Sequence, residues 1–394
     1  MKRYLVGGAV RDELLGLPVK DRDWVVVGET QATMEAAGFR AVGRDFPVFL
    51  DPDTNDEVAL ARTERKTGPG YRGFVVDSAP SVTLEEDLQR RDLTINAMAR
   101  DPATGDLVDP WGGATDLEGR RLRHVSPAFV EDPVRILRVA RFAARFAPLG
   151  FEVAPETTAL MREMVAAGEV DALVPERVWQ ELERALGEQQ PSAFLRVLRE
   201  SNALGRILPE VDPLYGVQVG ADTGGDHLER VLEACAAIAP SDTIVAFAGL
   251  MHDLGRGAAS GPPEEAGVRL VEALCERLRV PRAHARVAVR ACRLHRRVRD
   301  ADRASSADTL ALIEAADGLR QPEAFEAVLK VCEAIMETRR SEAIDTATAF
   351  LRRARDAAAA VDTKTIAAQG ITGPAFGEAL AKARVHAIEA LRSD

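Results

Sequence analysis

The hydrophobic period of this chain changes near residue 127, and that change limits what it can fold into. Before residue 110, short apolar runs at 4–6, 24–27, 48–50 and 58–61 are separated by Gly, Pro and Asp, the punctuation of strands and turns. From about residue 127, apolar residues recur at helical spacing almost without interruption. Pro133 suits the first turn of one helix, and Pro155 and Pro175 suit the starts of two more. Residues 212–226, rich in Gly and Asp, read as a boundary, and a second helical region runs from about His227 onward. The pattern predicts an α+β N-terminal head followed by an all-α neck, body and tail. Alanine, leucine and arginine are abundant and aromatic residues make up only 5%, which favours helix, and the 46% apolar content can fill real cores. The 394 residues suit two to four domains or one elongated multi-part body.

A formal charge of −11 argues against a generally basic nucleic-acid binder but leaves room for a local basic face. The four cysteines, Cys235, Cys275, Cys292 and Cys332, form no Cys-x-x-Cys, so free buried thiols in a reducing compartment are expected. There is no signal-peptide pattern and no apolar run of about 18 residues, so a cytoplasmic protein without membrane contact is expected.

Two aspartates one residue apart, Asp21 and Asp23, follow a glycine turn, Leu5-Val6-Gly7-Gly8-Ala9-Val10-Arg11-Asp12, and lead into Trp24-Val25-Val26-Val27. If both lie on a strand, they point the same way, because strand side chains alternate with period two. Paired carboxylates repel, and a divalent cation relieves the repulsion. Paired glycines let a backbone approach phosphate, and Arg11 can grip one. Together these suggest phosphoryl or nucleotidyl transfer; alone, the Asp pair also fits a polar loop before a buried strand.

Three further groups carry chemistry. In Arg90-Arg91-Asp92-Leu93-Thr94-Ile95-Asn96-Ala97, two arginines, an aspartate and an asparagine can hold a triphosphate and a ribose, or else form a helix start capped by Asp92 or Thr94. Asp109-Pro110-Trp111-Gly112-Gly113, with Asp116 beyond, is turn chemistry first. In Glu131-Asp132-Pro133-Val134-Arg135-Ile136-Leu137-Arg138, a helix would put Asp132 and Arg135 on one face, as a salt bridge or as an acceptor and donor fork for one base edge. Arg138, one turn on, would reach a phosphate. Between residues 120 and 145, Arg120, Arg121, Arg123, Arg135, Arg138, Arg141 and Arg145 make a basic stripe of the kind RNA binding requires.

These groups, in this order, resemble the bacterial class II tRNA nucleotidyltransferases, the CCA-adding enzymes. Ala61-Arg62-Thr63-Glu64-Arg65-Lys66 and Pro175-Glu176-Arg177-Val178-Trp179 match as well. Each motif is weak alone, whereas the ordered set over residues 1–210 is specific. The resemblance is to the long proteobacterial form with a C-terminal HD domain. It implies a polymerase-β-like palm as head (1–125), a neck with a nucleotide-templating helix (126–150), an RNA-binding helical body (151–211) and a helical tail (212–394) with an HD-like part at about 227–340. It also implies stepwise addition of C, C and A to the tRNA 3′ end and acceptor arm from CTP and ATP, by a monomer or homodimer. Asp21 and Asp23 would hold two Mg²⁺ ions, with Glu57 as a candidate third carboxylate. Gly8 and Arg11 would meet the triphosphate, Arg91 and Arg138 the nucleotide, and Asp132 and Arg135 the base. A protein template is physically reasonable: C and A offer an exocyclic amino donor and a ring-nitrogen acceptor, whereas G and U present the reverse and would leave buried groups unpaired. The loop 68–73, with three glycines and a proline, would move as specificity passes from C to A. A poly(A) polymerase shares the head motifs; such enzymes tend to carry a basic C-terminal extension, and this chain ends Leu391-Arg392-Ser393-Asp394.

In the tail, His252-Asp253 resembles the centre of an HD phosphohydrolase, with His227 as first histidine and His295 as a further ligand of a second divalent metal. Two elements of the pattern depart. The stretch after His252-Asp253, Ser260-Gly261-Pro262-Pro263-Glu264-Glu265, is short and lacks histidine, and the closing aspartate falls near Ile335, with Asp300 or Glu333 as substitutes. Two readings stay open: a degenerate HD fold serving as an RNA-binding tail, or a phosphatase or phosphodiesterase for 2′-phosphate or 2′,3′-cyclic phosphate ends. On the second reading the protein is mainly a metallophosphohydrolase.

Overall fold

Lys2–Val6 (β1) and Asp23–Val27 (β2) pair antiparallel, joined by a short helix, Gly8–Leu14 (α1). Arg40–Val42 (β3), Val48–Leu50 (β4) and Glu57–Leu60 (β5) extend the sheet beyond β2, with β5 parallel to β2. Thr63–Lys66 (β6) and Phe74–Asp77 (β7) form a separate hairpin. Ala99–Arg100 (β8) and Leu107–Val108 (β9) complete a seven-stranded order β3-β4-β5-β2-β1-β8-β9. The computed structural model describes residues 1–42, 48–66, 74–219, 222–257, 262–338, 343–368 and 370–393; the loop 68–73 and residues 258–261 lie outside that set.

The valine run of β2 explains why this strand is central. Val25 faces one apolar cluster with Val6, Leu84, Leu88 and Ala97, and Val26 faces the other with Met34, Phe49, Val58 and Leu60. Alternate side chains thus feed cores on both faces, which only an interior strand can do. Helices Gln31–Ala36 (α2), Leu84–Gln89 (α3) and Gly113–Glu118 (α4) flank the sheet sequence, α3 opened by a Thr83/Glu86 capping box.

The chain divides into two compact units, Met1–Glu181 with Ala193–Ile207, and Leu182–Ser192 with Leu208–Asp394. After the head, the first unit continues with Val134–Phe146 (α5) and Pro155–Ala166 (α6), and Pro175–Leu186 (α7) begins in it. Pro155 and Pro175 open their helices, while Pro133 stands one residue ahead of α5. Ser192–Glu200 (α8) and Leu204–Ile207 (α9) follow.

The second unit is helical: Gly224–Ile238 (α10), Thr243–Met251 (α11), Pro263–Arg277 (α12), Arg282–Arg299 (α13), Ser306–Ala315 (α14), Pro322–Glu337 (α15), Ala343–Ala359 (α16), Thr363–Ala367 (α17) and Pro374–Ser393 (α18). From Val245 to Met251, α11 is wholly buried, packed among α10, α13 and α15. Helix α11 is apolar all round because it is surrounded, not because it meets lipid. All four cysteines are free and buried. Among the described residues, no helix is long and apolar enough to cross a membrane.

Gly113, where α4 begins, shows how tightly the head motifs interlock. A Cβ there would sit 2.4 Å from the Thr94 carbonyl oxygen and 2.7 Å from Met98 Cγ. Gly113→Ala should therefore cost about 1–3 kcal/mol by overpacking. Urea unfolding followed by tryptophan fluorescence reads this unit alone, since Trp24, Trp111 and Trp179 all lie in it. An unchanged midpoint would refute the close packing.

Candidate active site

Strand β2 begins at Asp23, not at Asp21. Val6 is the last residue of β1 and the partner of Asp23; beyond it Gly7, at φ +67°, turns the chain into α1, so Asp21 and Arg22 have no strand to pair with. The expectation that both aspartates lie on a strand fails for that reason. Their coupling survives: the Asp23 carboxyl is pushed up by burial, drawn back by Arg91 and pushed up again by Asp21. On the other side of Asp23 its partner in the parallel β5 is Glu57, which places Glu57 on the same face of the sheet.

Gly7 meets Arg91 here. A Cβ on Gly7 would stand 2.7 Å from Arg91 Nη1 and would push that guanidinium aside, while the positive φ is what calls for glycine. Arg91 is held from behind: its Nη2 donates to Asp87 Oδ2 at 3.1 Å and its Nη1 to the Asn96 carbonyl at 3.3 Å. Asp87 is fully buried and also accepts from Arg90 Nε and Nη2, while Arg90 Nη1 reaches Glu64 at 2.8 Å. Burial would raise the Asp87 carboxyl, but Arg90 and Arg91 outweigh it and hold it low.

Arg11 is not presented to a ligand in the way its sequence context suggests. It is buried, with Nε donating to Asp12 Oδ1 at 2.8 Å and Nη1 to Asn96 Oδ1 at 2.5 Å, and its guanidinium lies over the rings of Phe142 and Phe146. Gly8 sits against this group, with Arg11 Nη2 3.4 Å from the position of a Cβ. Asp92 is likewise buried; it accepts from the Leu93 amide (2.8 Å), Asn96 Nδ2 (3.0 Å) and Arg138 Nε (2.7 Å). Burial alone would raise its carboxyl, yet Arg138 and Asn96 hold it well below the usual carboxylate range. Thr94 caps nothing and instead donates to Asp116 at 2.6 Å. Asp109 does what turn chemistry requires, accepting from the amides of Gly113 and Ala114.

Asp132 and Arg135 are not an i,i+3 pair on one helix. Asp132 precedes Pro133, which disfavours helical backbone at the residue before it, and Asp132 is extended (φ −124°, ψ 106°). Its carboxylate accepts from the Val134 amide at 3.0 Å and from Arg177 Nη2 at 3.1 Å. Arg135 is buried and donates to the carbonyls of Ala128 (2.8 Å) and Arg90 (2.6 Å). Arg138 is committed to Asp92.

A family profile described as "Poly A polymerase head domain" matches residues 3–123, and one described as "Probable RNA and SrmB-binding site of polymerase A" matches residues 150–215. The Multifunctional CCA protein of Xanthomonas campestris pv. campestris strain B100 is 55% identical over the whole chain and 99% of that relative. That of Stenotrophomonas maltophilia strain K279a is 55% identical over the full length of both. The chain belongs to the class II CCA-adding enzymes. Its fold is similar to that of the Thermotoga maritima CCA-adding enzyme complexed with tRNA-CCA (TM-score 0.69, 21% identity, 100% of this chain and 88% of that one). It is also similar to a CCA-adding enzyme with ATP (TM-score 0.70, 20% identity, 98% and 86%).

The tail histidines singled out in the sequence lie together, and the Nε2 of His252 is buried with no hydrogen-bond partner among the described residues. His252 ends α11, His227 lies on α10 and His295 on α13; the His252 ring is 5.9 Å from His227 and 5.5 Å from His295. Burial pushes the His252 imidazole down to about 3, and its Nδ1 is tied to the Gly249 carbonyl at 2.7 Å. Asp253, the adjoining carboxylate, accepts from Arg256 Nε at 2.5 Å. The suggested substitutes are also taken: Asp300 by Arg299 at 2.8 Å and Glu333 by Arg352 at 2.7 Å. Among the described residues, no group of three or more His, Cys, Asp or Glu side chains could hold a metal ion. A transition-metal centre needs about three protein ligands.

Motif reading missed Asp87, and it named Asp12, Arg145 and Arg177 only as members of longer stretches, without their partners. Asp87 had a signal, since Asp87 to Arg90 and Arg91 is i,i+3 and i,i+4 spacing. Asp12 and Arg145, which pair at 2.8 Å, stand 133 residues apart and had none.

Because folding depresses the Asp92 carboxyl, its stabilising effect is fully present above its unfolded value of about 3.9 and is lost as pH falls through the lower folded value. Asp92→Asn should then destabilise the first unit by about 2 kcal/mol at pH 7. The gap from wild type should narrow below about pH 4. Tryptophan-monitored unfolding from pH 7 to pH 3 reads both; a gap that widens in acid would contradict the assignment.

Proposed function

We propose that this protein adds C, C and A stepwise to the 3′ end of tRNA from CTP and ATP, without a nucleic-acid template, in the cytoplasm. The observation that carries the reading is the juxtaposition of Asp21, Asp23, Gly7 and Arg91 at the end of a central strand, in a chain 55% identical throughout to proteins named Multifunctional CCA protein. In domain terms, residues 1–125 are the transferase head, 126–150 the neck, 151–211 the RNA-binding body and 212–394 the tail.

The donor set at Asp21 and Asp23 suits a hard divalent cation, and two Mg²⁺ ions are proposed, with Glu57 as the neighbouring carboxylate. Mg²⁺ takes one or two protein carboxylates and fills its remaining positions with phosphates and water, so two carboxylates suffice without a third ligand in place. When bound, the ions supply charge neutralisation at the attacking 3′-oxygen and at the leaving pyrophosphate. The chain's own groups do the rest. Gly7 and Gly8 bring backbone close to the triphosphate, and Arg91, braced by Asp87, faces it. Arg11 supports this wall from beneath Gly8. Asp132 and Arg135 read the base edge, which requires Arg135 to exchange the carbonyls of Ala128 and Arg90 for the base, and Asp132 to turn from Arg177.

The test is incorporation of labelled CTP and then ATP into tRNA lacking its 3′ CCA. Two C and one A in order support the proposal; repeated ATP addition without CTP moves the protein to poly(A) synthesis, the reading that the head profile's name favours. Asp21→Ala should lower incorporation at least ~1,000-fold while leaving the unfolding midpoint unchanged or slightly higher, because it relieves repulsion at Asp23. Retained transfer would sink the metal-site assignment. Arg135→Ala should erode CTP-over-UTP preference by about 100-fold and also lower stability, since two buried carbonyls lose their donor. Unchanged base choice would defeat the templating role.

A further inference from the structure

Helix α13 carries seven arginines, and the structure divides them into two kinds. Arg290, Arg296 and Arg299 are paired with Asp317, Glu264 and Asp300. Arg282, Arg286, Arg293 and Arg297 are exposed, and among the described residues none of the four meets a carboxylate. These four are spaced by four, seven and four residues, each close to a whole number of turns. They therefore form one row, about 22 Å long and within an arc of about 60°, on the side of α13 opposite His295. Like charges in a row repel one another, and a polyanion laid along them relieves the repulsion and gives up its own counterions.

The surface around the row selects the polyanion. Among the described residues, the exposed large apolar side chains are Met1, Leu14, Leu107, Val130 and Val174, all of them in the first unit. A protein interface needs an apolar core, and a lipid surface needs an apolar face to insert. Neither is offered by the described residues of the second unit. A nucleic-acid strand needs only guanidinium forks at intervals for its phosphates and a place for its bases.

Such a place adjoins the row. A cavity of about 520 Å³ opens between α13 and the first turns of α11 and α15, and Arg286 belongs both to its wall and to the row. Ile244 and Val287 make the wall apolar on one part, and Asp242, Gln321 and Glu323 make it polar on another. The two carboxylates turn a phosphate away, so the row keeps the phosphates and the cavity suits an uncharged group with apolar faces and a polar edge. A nucleobase is such a group, and the space is ample for a purine. Asp242 spends Oδ1 on the amides of Ile244 and Val245. Among the described residues its Oδ2 and the side-chain amide of Gln321 have no partner, so both can still bond a base edge.

We propose that the outer face of α13 binds single-stranded RNA, with phosphates on Arg282, Arg286, Arg293 and Arg297 and one unstacked base in the adjoining cavity. That the strand is RNA rests on the transferase reading; the binding itself needs no catalysis, so its failure leaves that reading standing.

Two measurements on the full chain test it, both without CTP, ATP or divalent metal. In the first, filter binding of a labelled single-stranded oligoribonucleotide of mixed sequence is followed across a salt series. Wild type is compared with the Arg293→Gln, Arg297→Gln double variant and with an Arg353→Gln, Lys382→Gln control, which removes two exposed charges from α16 and α18. The row variant should bind at least ~10-fold more weakly, and its plot of log affinity against log salt should be shallower by about 1.4. Unchanged affinity and slope in the row variant, or an equal loss in the control, overturns the row. In the second, the same oligoribonucleotide carrying 4-thiouridine is photocrosslinked to wild type and the crosslinked peptides are mapped. Crosslinks in 283–287 or 321–327, the segments that wall the cavity, are expected. Crosslinks confined to the first unit overturn the base pocket.

Discussion

Asp92 carries a negative charge into a place closed to solvent, which is tolerable only while its oxygens are fully hydrogen-bonded. Two of its donors, the Leu93 amide and Asn96, come from its own turn, and the third, Arg138, comes from α5, 46 residues on. That ion pair fixes where α5 lies against the head motif. The pattern repeats at Asp12, which accepts from its neighbour Arg11 and from Arg145 of α5. Arg138 and Arg145 are seven residues apart, two helical turns, and so share a face. Phe142 and Phe146 lie along α5 with the Arg11 guanidinium over both. Removal of Arg138 leaves the buried Asp92 without its ionic partner, whereas Asp12 keeps one of its two arginines when the other is lost.

At the reactive end the same economy of charge operates around Asp87. One buried carboxylate restrains Arg90 and Arg91, and Arg90 in turn engages Glu64 of the hairpin. Arg91 lies beside Gly7, and its charge offsets part of the burial that raises the Asp23 carboxyl. Charge pairing behind the site therefore holds in place the arginine that partly offsets the burial of Asp23. Arg135 adds the other junction, tying the Ala128 and Arg90 carbonyls together with one fork.

In the tail, the acidic residues near the histidines are each paired with an arginine. Asp253, Asp300 and Glu333 had no such partners legible in the sequence beyond their near neighbours, and Glu333 meets Arg352 of another helix. The helical frame that gathers His227, His252 and His295 is kept, because it is specified by the buried face of α11 and its neighbours rather than by the polar residues.

The sequence by itself determined the order of elements and the family. The change of period near residue 127, the valine run of β2 and the ordered motifs are local properties, and local periodicity is enough to specify an α+β head followed by helices. Gly7 and Arg91, both within motifs quoted from the sequence, lie against each other, and the Arg91 charge acts on Asp23. What each polar group touches was decided only in three dimensions. Asp132 left the helix because Pro133 follows it, a rule legible in sequence, but its turn to Arg177 was not. Arg11 was a phosphate grip in sequence and is a buried strut in space, since Asn96 and the α5 phenyl rings come from residues 85 or more positions away. An ionic partner is chosen by distance and desolvation, and neither quantity exists until the chain has packed.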